Sequence, residues 1–258
     1  MLLSFLKKLN DRRLGKRHQK KNEIISSQIK MIRDCITISE QHNKIFPKFK
    51  NIARGKSIAI VATGKTLEKF DPSFLPSETI YIGVNRAVLF KKINYDYLFI
   101  QDYSGAKNYL RKITEYRRTD GKECIKFYGR LIKKSDPKFI IPEEEYLLSN
   151  ANLYYTAYPE REFIYDIANG GLADLESVVF AALNFAFWAH PKSIYLIGCD
   201  CSSTYFDNKK SSRNFSDLIE GWIIAKNFRN AYYPDIDIIS INPIGLRKLF
   251  NEINTQEN

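Results

Sequence analysis

Apolar positions along the chain fall into two kinds of pattern. Short continuous runs occur at Ser57–Ala62 (SIAIVA), Thr79–Val84 (TIYIGV), Tyr95–Ile100 (YDYLFI), Ser193–Ile197 (SIYLI) and Asp237–Ile241 (DIISI). Runs of this length and composition mark strands buried on both faces. Glu123–Tyr128 predicts one more strand, with a poorly marked start. Longer stretches carry a helical period. Ile24, Ile25, Ile29, Ile32 and Ile36 predict a helix over 23–43, in an arm or hairpin, and 105–118 reads as an exposed basic helix. Leu175–Trp188 is almost wholly apolar or small, as expected of a helix packed between layers. His190-Pro191 stops it, because proline disfavours helical angles in its predecessor. A last helix is predicted over Leu218–Phe228. Residues 129–168 show little clean period and read as an irregular peripheral segment, or as a lid; Tyr205–Phe215 reads as a mobile loop. Strand alternating with helix predicts an α/β fold with a largely parallel, Rossmann-like sheet, and no internal repeat is present.

The strands end in polar residues. Thr63-Gly64-Lys65-Thr66 follows the first, Asn85-Arg86 the second, Gln101-Asp102 the third and Gly198-Cys199-Asp200-Cys201-Ser202 the fourth of the long runs. In an open parallel sheet these endings meet at the carboxyl edge, where ligands bind. A strand running into a glycine turn suits phosphate, since backbone N–H groups can face the anion; an ordinary turn is the alternative. It is not a P-loop, because Ala59 stands where that motif requires glycine. Asn169-Gly170-Gly171 can turn tightly and approach a ligand closely. Candidate acids or bases are Asp102, Asp174 and Asp200, with Asp174 alternatively a helix cap or first-turn charge. His18, His42 and His190 fall away from this edge, so catalysis by a nucleophile–histidine pair is unsupported.

Charge alters the picture at one end. The formal net charge of +11 favours anionic partners. Much of it lies in the first 22 residues, where Lys and Arg face a single Asp, so nucleic acid is not the expected partner. Leu2, Leu3, Phe5, Leu6 and Leu9 make that segment amphipathic, suited to peripheral contact with an anionic inner membrane face. A frayed terminus or a docked helix is the alternative. No run is long enough to span a bilayer, and four scattered cysteines point to a reducing cytoplasm. The expected organisation is a helical arm over 1–50 and one Rossmann-like domain over 51–258.

The order ATGKTLEKF, VN, DYS, NGG before a helix, and YLIGCD with Tyr205 close behind resembles the bacterial sialyltransferases of glycosyltransferase family 42. It also resembles the wider group of 6-hydroxymethylpterin diphosphokinase-like proteins and motility accessory factors. The resemblance covers about residues 55–250. It implies transfer of a sugar from a nucleotide donor, CMP-sialic acid or similar, to a glycan or lipid-linked acceptor in surface polysaccharide or lipopolysaccharide assembly. Thr63, Gly64, Lys65 and Thr66 would meet the donor phosphates; Asn85, Asn169, Gly170, Gly171, Asp200, Ser202, Ser203 and Tyr205 would hold the rest. Asp102 stands where the family has asparagine. The family's histidine base is missing from 209–217 (KKSSRNFSD), which leaves Asp217 or Asp102 as the base and Arg213 for the leaving phosphate. No cofactor is implied. One alternative is a Mg-dependent diphosphotransferase with Asp102 and Asp200 around the metal. Another is a non-catalytic nucleotide- or carbohydrate-binding module. A homo-oligomer is compatible with each reading.

Overall fold

The computed structural model describes residues 2–101, 109–130, 150–156, 161–210 and 215–255, with backbone alone for 2–14, 31 and 130. Two compact units form, Met1–Ile38 and Ser39–Asn258. A single helix, α1 (Leu2–Ile45), makes up the first unit and ends in the second. The N-terminal period is therefore realised as one continuous helix, not a hairpin. Ile24, Ile25, Ile29, Ile32 and Ile36 are all exposed on it.

The second unit is an eight-stranded sheet with every neighbouring pair parallel. The strands are β1 (Ser57–Val61), β2 (Ile80–Val84), β3 (Tyr97–Ile100), β4 (Ile125–Arg130), β5 (Asn152–Tyr155), β6 (Ser193–Ile197), β7 (Asp237–Ile241) and β8 (Asn251–Ile253). They lie in the order β5-β4-β3-β2-β1-β6-β7-β8. Successive strands thus step away from β1 on one side, then resume from β1 on the other. The strand order reverses there, and that reversal opens a crevice at the carboxyl edge. Among the described residues the remaining α-helices are α2 (Leu110–Thr114), α3 (Ile167–Gly170), α4 (Val178–Ala189) and α5 (Ser216–Tyr232).

Every residue of β1 is buried, which accounts for its unbroken apolar sequence. All of α4 is buried as well. Ser177 caps its start, and His190 ends it in the left-handed region at φ 55°. Its one polar side chain, Asn184, is hydrogen-bonded to the backbone around it through both its oxygen and its amide. The carbonyl oxygen accepts from Ile164 N and Ala173 N, each at 3.1 Å, and the amide donates to Ile164 O at 2.8 Å. Under α4 the rings of Phe99, Phe127 and Phe185 meet with centroids 4.7–5.5 Å apart. Burial of each such side chain contributes roughly 1.5–3 kcal/mol, and this cluster fixes α4 over the sheet.

Two strands depart from the sequence expectation. β5 lies inside the segment read as irregular, and β8 follows the last predicted strand. In the described part of the basic helix expected over 105–118, helix forms at α2, whose Leu110 and Ile113 are buried. Residues 102–108 lie outside the described residues.

Candidate active site

The crevice at the strand-order reversal is lined from both halves of the sheet. The ends of β1 and β2 supply Thr63, Gly64 and Asn85, and the loop after β6 supplies Asp200, Ser202 and Tyr205. These six predicted residues therefore share one cavity. Lys65, Thr66, Ser203, Asn169, Gly170, Gly171 and Asp217 do not line it. Asp102 and Arg213 lie outside the described residues.

The β1 turn owes its shape to a close approach. Gly64 N donates to Gly198 O at 2.7 Å, continuing the β1–β6 ladder past the strand ends. A Cβ on Gly64 would stand 2.4 Å from Asp200 Cγ and 2.6 Å from Gly198 O, so no side chain fits. Asp200 is 3% exposed, and its carboxylate is committed to this turn. It accepts from Thr66 N at 2.7 Å and from the Thr66 hydroxyl. Burial pushes the Asp200 carboxyl above the ordinary carboxylate range, while its hydrogen bonds from Thr66 oppose the rise. The amides of Gly64 and Thr66, suited by sequence to phosphate, are thus already satisfied by the protein. Lys65 is turned away as well, paired with Glu68 and donating to Asn208 at 2.8 Å.

The opposite wall comes from α4 and α5. Ser177, Val178 and Val179 bring the start of α4 to the cavity, with Phe215, Leu218 and Trp222 beside them. A helix start presents backbone N–H groups and a positive dipole end, which suits an anion. Asn85 sits at φ 48° with its side-chain oxygen buried and unpartnered among the described residues. An orphaned buried acceptor in a crevice suits a donor group of a ligand. Cys201, in the cavity lining, and Glu176, next to Ser177 in sequence, also hold positive φ, at 47° and 66°. Such backbone strain concentrates at functional sites. Burial holds the Cys199 thiol well above its usual value, which disfavours its thiolate.

A short strap closes one side. Tyr205 bridges to Gly64, and Phe206 N donates to Thr63 O at 3.0 Å. The Arg86 guanidinium lies 4.2 Å from the Tyr205 ring centroid and 3.4 Å from Asp207. The segment expected to be a mobile loop is therefore anchored over Thr204–Lys210, whereas 211–214 lie outside the described residues.

A solved glycosyltransferase shares this fold. The structure superposes on the MAf glycosyltransferase from Magnetospirillum magneticum AMB-1 with a TM-score of 0.53 at 10% identity, over 86% of this chain. The chain spans 39% of the length of that protein. The sialyltransferase CstII from Campylobacter jejuni, solved with the substrate analogue CMP-3FNeuAc, aligns at a TM-score of 0.43 and 15% identity, covering 76% of this chain and 85% of its own. No protein-family model and no curated protein sequence matches the chain.

The NGG turn finds a structural use instead. Gly171, at φ 80°, packs against the Tyr155 ring, and a Cβ on Gly170 would stand 2.6 Å from Ile164. The Tyr155 hydroxyl donates to Asn169 O at 2.8 Å. These glycines fit the chain against β5 and lie off the crevice. Sequence reasoning missed Ser177, Phe215 and Trp222. Ser177 carried a signal, being a serine directly before the apolar run of α4. Trp222 carried none, because its place depends on how α5 crosses the sheet.

Proposed function

We propose that the chain is a glycosyltransferase that takes a nucleotide-activated sugar in the β1/β2/β6 crevice. The observation that carries this reading is the meeting of Thr63, Gly64, Asn85, Asp200, Ser202 and Tyr205 with the start of α4 in one cavity. Parallel sheets hold nucleotides at such a reversal of strand order. The likeness of fold to the MAf glycosyltransferase supports the reaction class. The order of short motifs, similar to that of family 42, narrows the donor to CMP-sialic acid or a related acidic sugar. The cavity holds about 140 Å³, less than the roughly 300–1,000 Å³ typical of a whole small-molecule ligand. It therefore takes the nucleotide phosphate and the groups next to it, and the sugar extends along the sheet edge.

In the proposed reaction an acceptor hydroxyl displaces the nucleotide at the anomeric carbon. The crevice holds the two reactants in line, and the α4 start stabilises charge on the departing phosphate. Calorimetric titration with CMP, UDP, GDP and ATP tests the reading. One of them binds in the micromolar to millimolar range, and failure of all four defeats it.

The exposed basic residues Lys16, Arg17, Lys20 and Lys21 on α1 support contact with an anionic inner membrane face, close to lipid-linked acceptors. Among the described residues no helix is long and apolar enough to cross a membrane. Co-sedimentation with anionic vesicles, weakened by salt and absent with zwitterionic ones, is the expected result. Equal binding to both kinds of vesicle refutes an electrostatic contact.

A further inference from the structure

Beyond the crevice, the carboxyl edge carries a second polar group that donor binding leaves unused. Thr156, at the end of β5, forms a parallel bridge with Leu172. From there the chain runs along the sheet edge. Asp174 meets Gln101 at the end of β3, and Ser177 reaches the crevice. The Asp174 carboxylate accepts from Gln101 Nε2 at 3.1 Å, Thr156 Oγ1 at 3.3 Å and Glu176 N at 3.3 Å. Two separate segments and its own turn thus aim one carboxylate. Gln101 is 5% exposed, and its side-chain oxygen has no partner among the described residues.

We propose that Asp174 is the proton acceptor for the hydroxyl that attacks the donor sugar, with Gln101 and Thr156 as its positioning residues. This rests on the glycosyltransferase reading of the crevice. Neighbouring strands lie about 4.8 Å apart, so the end of β3 stands one sugar ring along the edge from the β1/β2 crevice. A donor whose phosphate occupies the crevice places its reacting carbon between the two. In the step, the acceptor oxygen bonds to the anomeric carbon and its proton passes to Asp174. The bond from that carbon to the phosphate oxygen breaks, and its electron pair leaves with the nucleotide.

Among the described residues, the other candidate carboxylates at this edge fit the task less well, and Asp102 lies outside them. Both Asp200 oxygens are taken by Thr66, and Asp217 is exposed in the first turn of α5. Asp174 is partly exposed, so a substrate can reach it, and no Lys or Arg pairs with it among the described residues. Burial raises its carboxyl above the ordinary value, with Glu176 adding to the rise and the hydrogen bonds from Gln101, Glu176 N and Thr156 opposing it. A base is more effective when its pKa moves toward the working pH.

Asp174→Asn tests the role, because asparagine keeps the shape. Its oxygen can accept from Gln101 and Glu176 N, and its amide can donate to the Thr156 hydroxyl. Nucleotide release from CMP-N-acetylneuraminic acid and from UDP- and GDP-sugars gives kcat, and calorimetry gives CMP affinity. The expected result is a fall in kcat of about 10²- to 10⁴-fold, with nucleotide affinity within about threefold and Tm at neutral pH equal or higher. The acidic limb of the kcat–pH profile disappears in the variant. Glu115→Gln, an exposed change on the helix-end pair with Arg111, leaves kcat unchanged. Retained kcat in Asp174→Asn overturns the proposal, as does a loss of Tm that accompanies the loss of activity. Wild-type protein that binds nucleotide but turns over no donor also overturns it, leaving the crevice reading standing. Wild-type protein that binds no nucleotide defeats both.

Discussion

Gly64→Ala is the sharpest test of how the crevice is built. The added methyl would lie 2.4 Å from Asp200 Cγ, 2.5 Å from Asp200 Oδ2 and 2.6 Å from Gly198 O. Carbon contacts settle at about 3.5–4.0 Å, so these groups must separate by roughly 1 Å. None of them can move cheaply. Gly198 O accepts from Gly64 N itself, and the Asp200 carboxylate is held by both the amide and the hydroxyl of Thr66. Overpacking costs about 1–3 kcal/mol, and weakening a buried charge-assisted hydrogen bond adds about 1.5–3 kcal/mol. A combined loss of about 3–5 kcal/mol lowers Tm by about 10 °C in a domain of this size. Circular dichroism melts and urea titration read the stability, and calorimetry reads nucleotide affinity, which falls with the displaced turn. Gly15→Ala is the matched control. Gly15 lies in α1 with nothing within 4 Å of its would-be Cβ, so the change stabilises the helix by up to about 1 kcal/mol. A Gly64→Ala protein that melts within a degree or two of wild type and binds nucleotide unchanged refutes the close-packed turn.

Two further outcomes are expected. Trp222 lines the crevice and Trp188 does not, so nucleotide addition changes tryptophan emission in the wild type but not in Trp222→Phe; an equal change in both places the ligand elsewhere. His42 is fully buried, stacked 4.1 Å from the Phe46 ring, with Nε2 donating to Ile167 O at 2.6 Å. Burial lowers its pKa to about 4, against a smaller opposing effect of that hydrogen bond. The unfolded chain therefore binds the proton first. The stabilisation is full above the ordinary value near 6.5 and fades as pH falls toward 4, amounting to roughly 3 kcal/mol. Urea midpoints measured across this window fall steeply in wild type and less in His42→Phe; parallel curves contradict the assignment.

How far the fold could be read beforehand follows burial. β1, β2, β3, β6 and β7 announce themselves because central parallel strands must be apolar on both faces. β5 (NLYY) and β8 (NEI) are edge strands, and β8 is wholly exposed. Edge strands carry no such run, since one side meets solvent. The site divides in the same manner. Thr63, Asn85 and Asp200 are legible because a parallel sheet delivers its strand ends to one edge whatever the loops do. The roles of Lys65 and Thr66 were not, because whether a backbone amide is free depends on Asp200, which is more than 130 residues away in sequence. Asn169-Gly170-Gly171 shows the converse. A glycine pair advertises a demand for space, but not whether ligand or neighbouring ring makes it; here Ile164 and Tyr155 do. Asp174 stood between cap and base in the sequence, and the structure gives the cap to Ser177.

The reversal of strand order also bears on how the molecule holds together. The β1–β6 boundary is a seam between two runs of strands laid down at different times in synthesis, and the crevice exists only once they have joined. Anything seated there touches both runs and acts as a rivet across them. At a hundredfold excess over its Kd, such a ligand adds about 2.7 kcal/mol to their cohesion. The filled protein should therefore resist proteases as a whole, and not at the loops beside the cavity alone.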